Sequence, residues 1–94
     1  MYMVVRSYSG SGAGELFDLL AQREDEIKEL ISGVPGFVSY AAIRSGDNGM
    51  TVTVCEGKDG NDESSKRAAD WVEENVESDH SPPEVTEGET FLHF

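Results

Sequence analysis

The order of predicted secondary-structure elements constrains the fold of this 94-residue chain more than any other feature. The segment Tyr2 to Tyr8 is rich in aromatic and β-branched residues, which predicts a first strand. Apolar residues recur at helical spacing from Glu15 to Ile31, and Gly33 and Pro35 end this predicted helix. A hairpin of two strands, a second helix and a last strand follow. The sequence thus predicts strand, helix, strand, strand, helix and strand.

The second half of the chain supplies the hairpin and the remaining elements. Strands Phe37–Arg44 and Met50–Glu56 are joined by Gly46-Asp47-Asn48-Gly49, whose composition is typical of a hairpin turn. The second helix is predicted from Asn61 or Asp62 to about Val76, and the last strand from Thr86 or Glu87 to Phe94. The inward side of the second helix would carry Ala68, Ala69, Val72 and Val76, flanked by Trp71. This βαββαβ order predicts one α+β, ferredoxin-like domain over residues 1–94, with an antiparallel four-stranded sheet and two helices on one face.

The hairpin predicts two different sheet faces if Ser45 pairs with Met50. One face would be apolar and lie beneath the helices: Phe37, Ala41, Ile43, Met50, Val52 and Val54. The opposite face would be mixed: Val38, Tyr40, Ala42, Arg44, Thr51, Thr53 and Cys55. The mixed face is too apolar for water and too polar for a dry core. We therefore expect it to pack against a second copy of the chain, giving a homodimer through the open sheet face.

The charge balance limits the partners that the chain can have. Nineteen acidic residues oppose seven basic ones, for a net charge of -12. Such a field repels nucleic-acid phosphates and anionic lipids, so we expect neither nucleic acid nor a membrane as partner. The acid excess is typical of solvated helix faces, or of adaptation to a salt-rich cytoplasm. The N-terminal run Met1 to Arg6 does not resemble a signal peptide, so we expect a cytoplasmic location.

No catalytic or metal-binding motif stands out. Cys55 is the only cysteine and is interpreted as a small buried residue. The segment Ser9 to Gly14 lacks the Lys-Ser/Thr of a phosphate loop and is interpreted as a flexible connection. His80 lies in a polar connector and has no partner at ligand spacing, so no metal site is predicted.

Three segments resemble those of a known superfamily. They are the opening strand Tyr2 to Arg6, the helix end Leu30 to Val34, and the following Pro35-Gly36-Phe37-Val38-Ser39-Tyr40. Together they resemble the dimeric α+β barrel superfamily, in particular its antibiotic-biosynthesis-monooxygenase-like members. The resemblance implies a dimer that pairs its open sheet faces and a ligand pocket between sheet and helices. Cofactor-free oxygenases of polycyclic phenols and haem-degrading oxygenases belong to that superfamily.

The chain also departs from that pattern. The predicted third strand, Thr51 to Glu56, has no tryptophan. Arg6 and Ser7 stand where the haem-degrading members carry an asparagine, and the second helix has no histidine. Haem degradation is therefore disfavoured, no cofactor is expected, and no catalytic role can be transferred residue by residue.

Four residues are predicted to line a cleft between helices and sheet: Trp71, Phe17, Phe37 and Tyr40. Such a cleft would bind an aromatic or apolar small molecule. His93 and Trp71 are the catalytic candidates. The alternative for Trp71 is packing, and the alternative for His93 is a hydrogen-bonded position in the interface. The leading hypothesis is a cofactor-independent monooxygenase-like enzyme. The alternative is a non-catalytic dimer that binds a small molecule or serves a structural role.

Arginines and tyrosines of the first two strands are predicted on the face toward the partner: Arg6, Arg44, Tyr2, Tyr8 and Tyr40. Buried arginines need acceptors. Tyrosine hydroxyls or a carboxylate such as Glu89 could provide them, which favours a role in the interface. Capture of an anion is the other interpretation.

Overall fold

The structure of the chain, a computed structural model, follows the predicted alternation of strands and helices over residues 1–94. Its elements are β1 Tyr2–Tyr8, α1 Ala13–Gln22, α2 Glu24–Ser32, β2 Phe37–Ser45, β3 Asn48–Cys55, α3 Lys58–Asn75 and β4 Glu84–Glu89. None of the three helices is both long and apolar enough to cross a membrane.

The four strands form one antiparallel sheet in the order β2-β3-β1-β4. Strands β1 and β3 are central, and β2 and β4 are the edges. All three helices pack on the same side, with α2 against β2, α1 against β3, and α3 against β1 and β3. This confirms the predicted α+β, ferredoxin-like fold.

The first predicted helix is two helices, because the backbone leaves helical geometry at Arg23 (φ -117°, ψ 38°). The Arg23 guanidinium fixes the break from outside the helix. It donates to Asn75 Oδ1 at 2.7 Å and lies 5.2 Å from the ring centroid of Trp71. The break is thus tied to α3, a contact that periodicity along the chain does not encode.

Helix α3 begins at Lys58, three residues before the predicted start. The Lys58 ammonium contacts the Asp62 carboxylate at 2.9 Å, which stabilises the first turn. Gly60 packs so closely on the Pro35 carbonyl and on Cys55 that a β-carbon would overlap them. The predicted inward stripe is only partly correct. The buried residues of α3 are Gly60, Asn61, Ser64 and Trp71, whereas Ala69 is exposed.

The two sheet faces are the reverse of the prediction. The hairpin pairs Ser45 with Asn48 around a two-residue turn, which leaves the predicted facial groups almost unchanged. The mixed face, however, lies beneath the helices, where Thr51 and Thr53 are 3% and 0% exposed. The apolar face is open, and Ile43 is 62% exposed there.

Phe37 lies on the covered side only because a bulge interrupts β2. The register shifts between Phe37 and Ser39, so that Phe37 pairs with Cys55 and Val38 is the extra residue. Cys55 is completely buried, as expected. Arg6, Arg44, Tyr2, Tyr8 and Tyr40 belong to the covered side as well, and their predicted position toward a partner was wrong.

The predicted last strand is too long. Strand β4 ends at Glu89, and its final backbone bond joins Thr90 N to the Met1 carbonyl at 2.8 Å. Residues 91–94 belong to no strand or helix and are exposed, with Phe91 87% and Leu92 64% accessible. His93 therefore does not lie on a strand.

The core fills the space between α1, α2, α3 and the covered sheet face. Tyr8 and Phe17 meet edge to face at 5.9 Å between ring centroids. The other buried members of this cluster are Ala13, Leu16, Ile27, Ile31, Trp71 and Val76.

Candidate functional site

Two large cavities open between the helices and the sheet. The first, which we call the α3 cavity, has a volume of about 280 Å³ and lies between β1, α3 and the connector that precedes β4. The second, the β2 groove, is wider, at about 790 Å³, and lies between α1, α2 and β2.

The glycine-rich segment after β1 builds one side of the α3 cavity. Gly12 has a positive φ of 81°, and a β-carbon there would overlap His80 and the Asp79 carbonyl. Two bonds hold the connector in place: Ser81 N donates to the Ser11 carbonyl at 3.2 Å, and Glu77 N donates to Glu15 Oε2 at 2.8 Å. Gly12 therefore serves close packing, and the segment interpreted as a connection forms one wall of the cavity.

Small and apolar side chains form most of the remaining wall. Helix α3 contributes Ala68, Ala69 and Val72, α1 contributes Leu16, and the connector contributes Pro82 and Pro83. The volume is near the lower end of the range of about 300–1,000 Å³ that small-molecule sites occupy. The cavity has room for a compact, largely apolar ligand.

Arg6 is the one cationic side chain in the wall of the α3 cavity, and it is only 2% exposed. Its Nη1 donates to Thr53 Oγ1 at 3.1 Å. Its Nη2 donates to Ser64 Oγ at 2.8 Å and to Ser65 Oγ at 2.9 Å. Three neutral hydroxyls thus hold the guanidinium between sheet and helix.

No carboxylate forms an ion pair with Arg6. Its Nε is buried without an acceptor. Burial lowers the pKa of Arg6, and burial also raises the pKa of Tyr8 in the same wall, with the charge of Arg6 opposing that rise. The cavity wall therefore combines an uncompensated positive charge with a neutral phenol.

His80 lies at the rim of the same cavity and is about a quarter exposed. Its Nδ1 is 3.3 Å from the Ser78 carbonyl, and its Nε2 is 3.8 Å from Glu73 Oε2. Imidazole is the side chain that most often serves as a general acid or base in enzymes.

The β2 groove contains three of the four residues predicted to bind a ligand: Phe17, Phe37 and Tyr40. At its end Arg44 Nη1 contacts Asp18 Oδ1 at 2.7 Å, so this arginine is paired and partly exposed. The groove is apolar and broad, and the structure brings no imidazole into it.

Trp71 and His93 lie elsewhere. Trp71 is 7% exposed and belongs to the core, where its ring faces Arg23 and not either large cavity. This is the packing alternative considered for Trp71. His93 lies in the exposed C-terminal segment. Trp71 still shares the core cluster with Phe17 and lines a small cavity of about 20 Å³ together with Tyr40, whereas the position of His93 is apart from the other predicted site residues.

Sequence reasoning missed the combination of Arg6, Tyr8 and His80. Arg6 and Tyr8 alternate on β1, which placed them on one face, but the prediction chose the wrong side of the sheet. His80 lies at the cavity because Gly12, which has no side chain, leaves room for it. This contact between distant segments gives no local signal in the sequence.

Comparison with solved structures identifies the same fold in two oxygenases and in a porphyrin-bound protein. A monooxygenase from the gene ActVA-Orf6 of Streptomyces coelicolor, solved with nanaomycin D, has a TM-score of 0.70 at 19% identity, covering 99% of this chain and 89% of that one. A MhuD variant with two manganese protoporphyrin IX per active site has a TM-score of 0.61 at 14% identity, covering 99% and 96%. A variant of SnoaB, a cofactor-independent oxygenase from Streptomyces nogalater, has a TM-score of 0.51 at 14% identity, covering 99% and 92%.

These likenesses confirm, at the level of fold, the predicted resemblance to antibiotic-biosynthesis-monooxygenase-like α+β barrel proteins. No family model matches the sequence, and no curated protein matches it. Since one fold supports many functions, the chemistry must be argued from the cavities themselves.

Proposed function

We propose that this protein is a homodimer that binds a flat aromatic or apolar small molecule in the α3 cavity and acts on it as a cofactor-independent monooxygenase. One observation carries this proposal. An apolar cavity between helices and sheet, with Arg6 in its wall and His80 at its rim, is present on a fold shared with a monooxygenase solved with nanaomycin D and with a cofactor-independent oxygenase.

The reaction class is oxygenation of an electron-rich ring methylene. The CH₂ carbon loses two hydrogens and gains one oxygen atom of O₂ as a carbonyl, and the second oxygen atom leaves as water. His80 would accept the first proton from the substrate. The apolar wall formed by Ala68, Val72 and Leu16 would exclude water from the reactive anion.

The open sheet face supports the homodimer. Ala41, Val52, Val5 and Thr86 lie side by side across the four strands on this face. The next row along the sheet adds the exposed Ile43. A second copy would cover this apolar surface with an identical one, as the resemblance implies, and would add the burial that a chain of this size needs.

The alternative is a non-catalytic dimer that binds a small molecule. One observation favours it: the Glu73 carboxylate beside His80 is 82% exposed, so the imidazole is weakly oriented. Catalytic bases are usually held by a firm hydrogen bond to a second group.

Oxygen consumption tests the enzymatic proposal. Purified protein is supplied with anthrone-type substrates, which carry the ring methylene, and products are identified by mass spectrometry with ¹⁸O₂. We expect one labelled oxygen atom per product molecule, and a loss of about 10²-fold or more in rate for His80→Ala.

His93→Ala is the matched variant, because it removes the other imidazole from the exposed C-terminal segment. If the rate depends on His93 and not on His80, the sequence-based candidate is right and the α3 cavity is not the active site. Absence of turnover with every substrate, together with saturable binding, supports the non-catalytic alternative.

A further inference from the structure

We propose that the α3 cavity recognises its ligand through an anionic oxygen carried on a flat apolar body, and that Arg6 is the side chain that binds this oxygen. The anionic oxygen is a carboxylate or an ionised phenol. The inference rests on the proposed small-molecule function of the cavity and names the chemistry of its ligand.

The charge of Arg6 is buried without a counter-ion. A guanidinium that is 2% exposed has lost nearly all its hydration, and such groups are usually paired with a carboxylate. Here the acceptors are the hydroxyls of Thr53, Ser64 and Ser65, which are neutral. The Nε has no acceptor at all. An anion in the adjoining cavity would supply the missing negative charge.

Surrounding groups hold the guanidinium at the cavity wall. Ser64 Oγ donates its proton to the Asn61 carbonyl at 2.7 Å, so its lone pairs face Arg6. Ser65, which accepts from the same Nη2, lines the cavity directly. Arg6 is therefore fixed before any ligand arrives, and binding costs little side-chain entropy.

The nearby carboxylates are engaged elsewhere or lie in solvent. Glu87 on β4 accepts from the Tyr2 hydroxyl at 3.3 Å and lies 3.6 Å from the Lys58 ammonium. Glu73 is at the rim and mostly exposed. The net charge of -12 repels polyanions, so the site selects a ligand with a single negative charge and an apolar body.

The first experiment compares two probes of nearly equal shape on the unmodified protein. Calorimetric titration measures the affinity for 2-naphthoate, which is an anion, and for naphthalene-2-carboxamide, which is neutral. We expect the carboxylate to bind about 10- to 100-fold more tightly, the usual range for replacing a neutral hydrogen bond by a charge-assisted one. Equal affinities, or preference for the amide, would overturn the inference.

A second arm distinguishes the two sources of the anionic oxygen. With 2-naphthol as probe, the absorbance spectrum of the bound molecule shows whether it is the phenol or the naphtholate. Bound naphtholate at neutral pH identifies an ionised phenol as the preferred group. Tight binding of naphthoate together with weak binding of neutral naphthol identifies a carboxylate.

Three variants locate the effect. Arg6→Gln should remove the preference for naphthoate over the amide. Lys66→Gln, next to Ser65 on the exposed side of α3, changes the net charge equally and should retain the preference. Ala69→Leu fills the cavity from an exposed helical position without touching Arg6, and should abolish binding of both probes.

The outcomes separate this inference from the proposed function. A naphthoate preference that depends on Arg6, without oxygen consumption, supports the anion site and contradicts the oxygenase. Oxygen consumption with neutral substrates, together with equal affinity for the two probes, supports the oxygenase and contradicts the anion site. If Arg6→Gln does not fold, the inference is still tested by the affinities of the two probes for the unmodified chain and for Ala69→Leu.

Discussion

The two faces of the sheet differ in a way that contradicts a simple hydrophobicity rule. The covered face carries Arg6, Thr51 and Thr53, all at most 3% exposed. The open face carries Val5 and Val52 as direct cross-strand neighbours. The more polar face is thus the one that the chain buries under its own helices, and the more apolar one is left for another surface.

The difference between the faces shows that polar residues can be buried when the opposing helix provides hydrogen-bond acceptors. Helix α3 presents Ser64 and Ser65 toward Arg6, where most helices would present leucine or isoleucine. Hydrogen bonds then replace part of the apolar contact in this layer. The apolar face has no such helical partner within the chain, which is why we infer that a second copy covers it.

The largest expected effect is on association through the open face. Val52→Glu would place a carboxylate at its centre and, in a symmetric dimer, near its own copy. Because buried like charges cost several kcal/mol, we expect the dimer to weaken by about 100-fold or more. Sedimentation equilibrium at micromolar concentration measures this change.

Val85→Glu is the matched control, since it makes the same substitution on the other side of the sheet, where Val85 is 48% exposed. It should leave the dimer intact. A wild-type chain that sediments as a folded monomer would show that the apolar face is left in water, and the contrast between the faces would lose its explanation.

A pair of glycines tests the packing of the same two faces. A β-carbon on Gly49 would overlap the ring of Phe17 on the covered side, whereas one on Gly88 would meet nothing within 4 Å on the open side. We expect Gly49→Ala to lower the free energy of unfolding by about 1–3 kcal/mol, the usual cost of overpacking. Gly88→Ala should change it by less than about 0.5 kcal/mol. Urea denaturation of both variants measures the difference, and equal effects would mean that Phe17 does not rest on β3.

The element order and the grouping of side chains could be predicted from the sequence, because both depend on local periodicity. The choice of which group faces the helices could not. That choice is made by the hydroxyls of α3, by the bulge after Phe37 and by the break at Arg23. Each of these is a contact or a backbone irregularity that appears only when distant segments are brought together.

The candidate site was predicted in part for the same reason. Phe17, Phe37 and Tyr40 do share a groove, since apolar residues on the inward side of a helix and an adjacent strand must meet. The α3 cavity depends instead on the close contact of Gly12 with His80, two positions that are 68 residues apart in the sequence. Nothing in the spacing of either residue indicates it.

Added salt should raise the stability of the whole fold, because it screens the negative charge around both faces of the sheet. A net charge of -12 repels itself, and added potassium chloride screens that repulsion. We expect the melting temperature to rise by about 4–8 °C between low and molar salt, equivalent to about 1 kcal/mol in a domain of this size. A melting temperature that stays constant or falls would contradict adaptation of the acidic surface to a salt-rich cytoplasm.

The smallest expected effect reports how dry the covered face is. Burial raises the pKa of Tyr8 above its ordinary value of 10.0, and the positive charge of Arg6 opposes the rise. Above about pH 10 the unfolded chain loses this proton while the folded chain keeps it, so stability is constant below that pH and falls as the pH rises through the folded pKa. One tyrosine contributes a slope of at most about 1.4 kcal/mol per pH unit.

Urea midpoints between about pH 8 and about pH 11 measure this slope of stability against pH. Tyr8→Phe should reduce the slope, and the other tyrosines should account for the part that remains. If Tyr8→Phe leaves the slope unchanged, Tyr8 ionises as freely as in water. The polar layer around Arg6 would then be in contact with solvent and would not be part of the core.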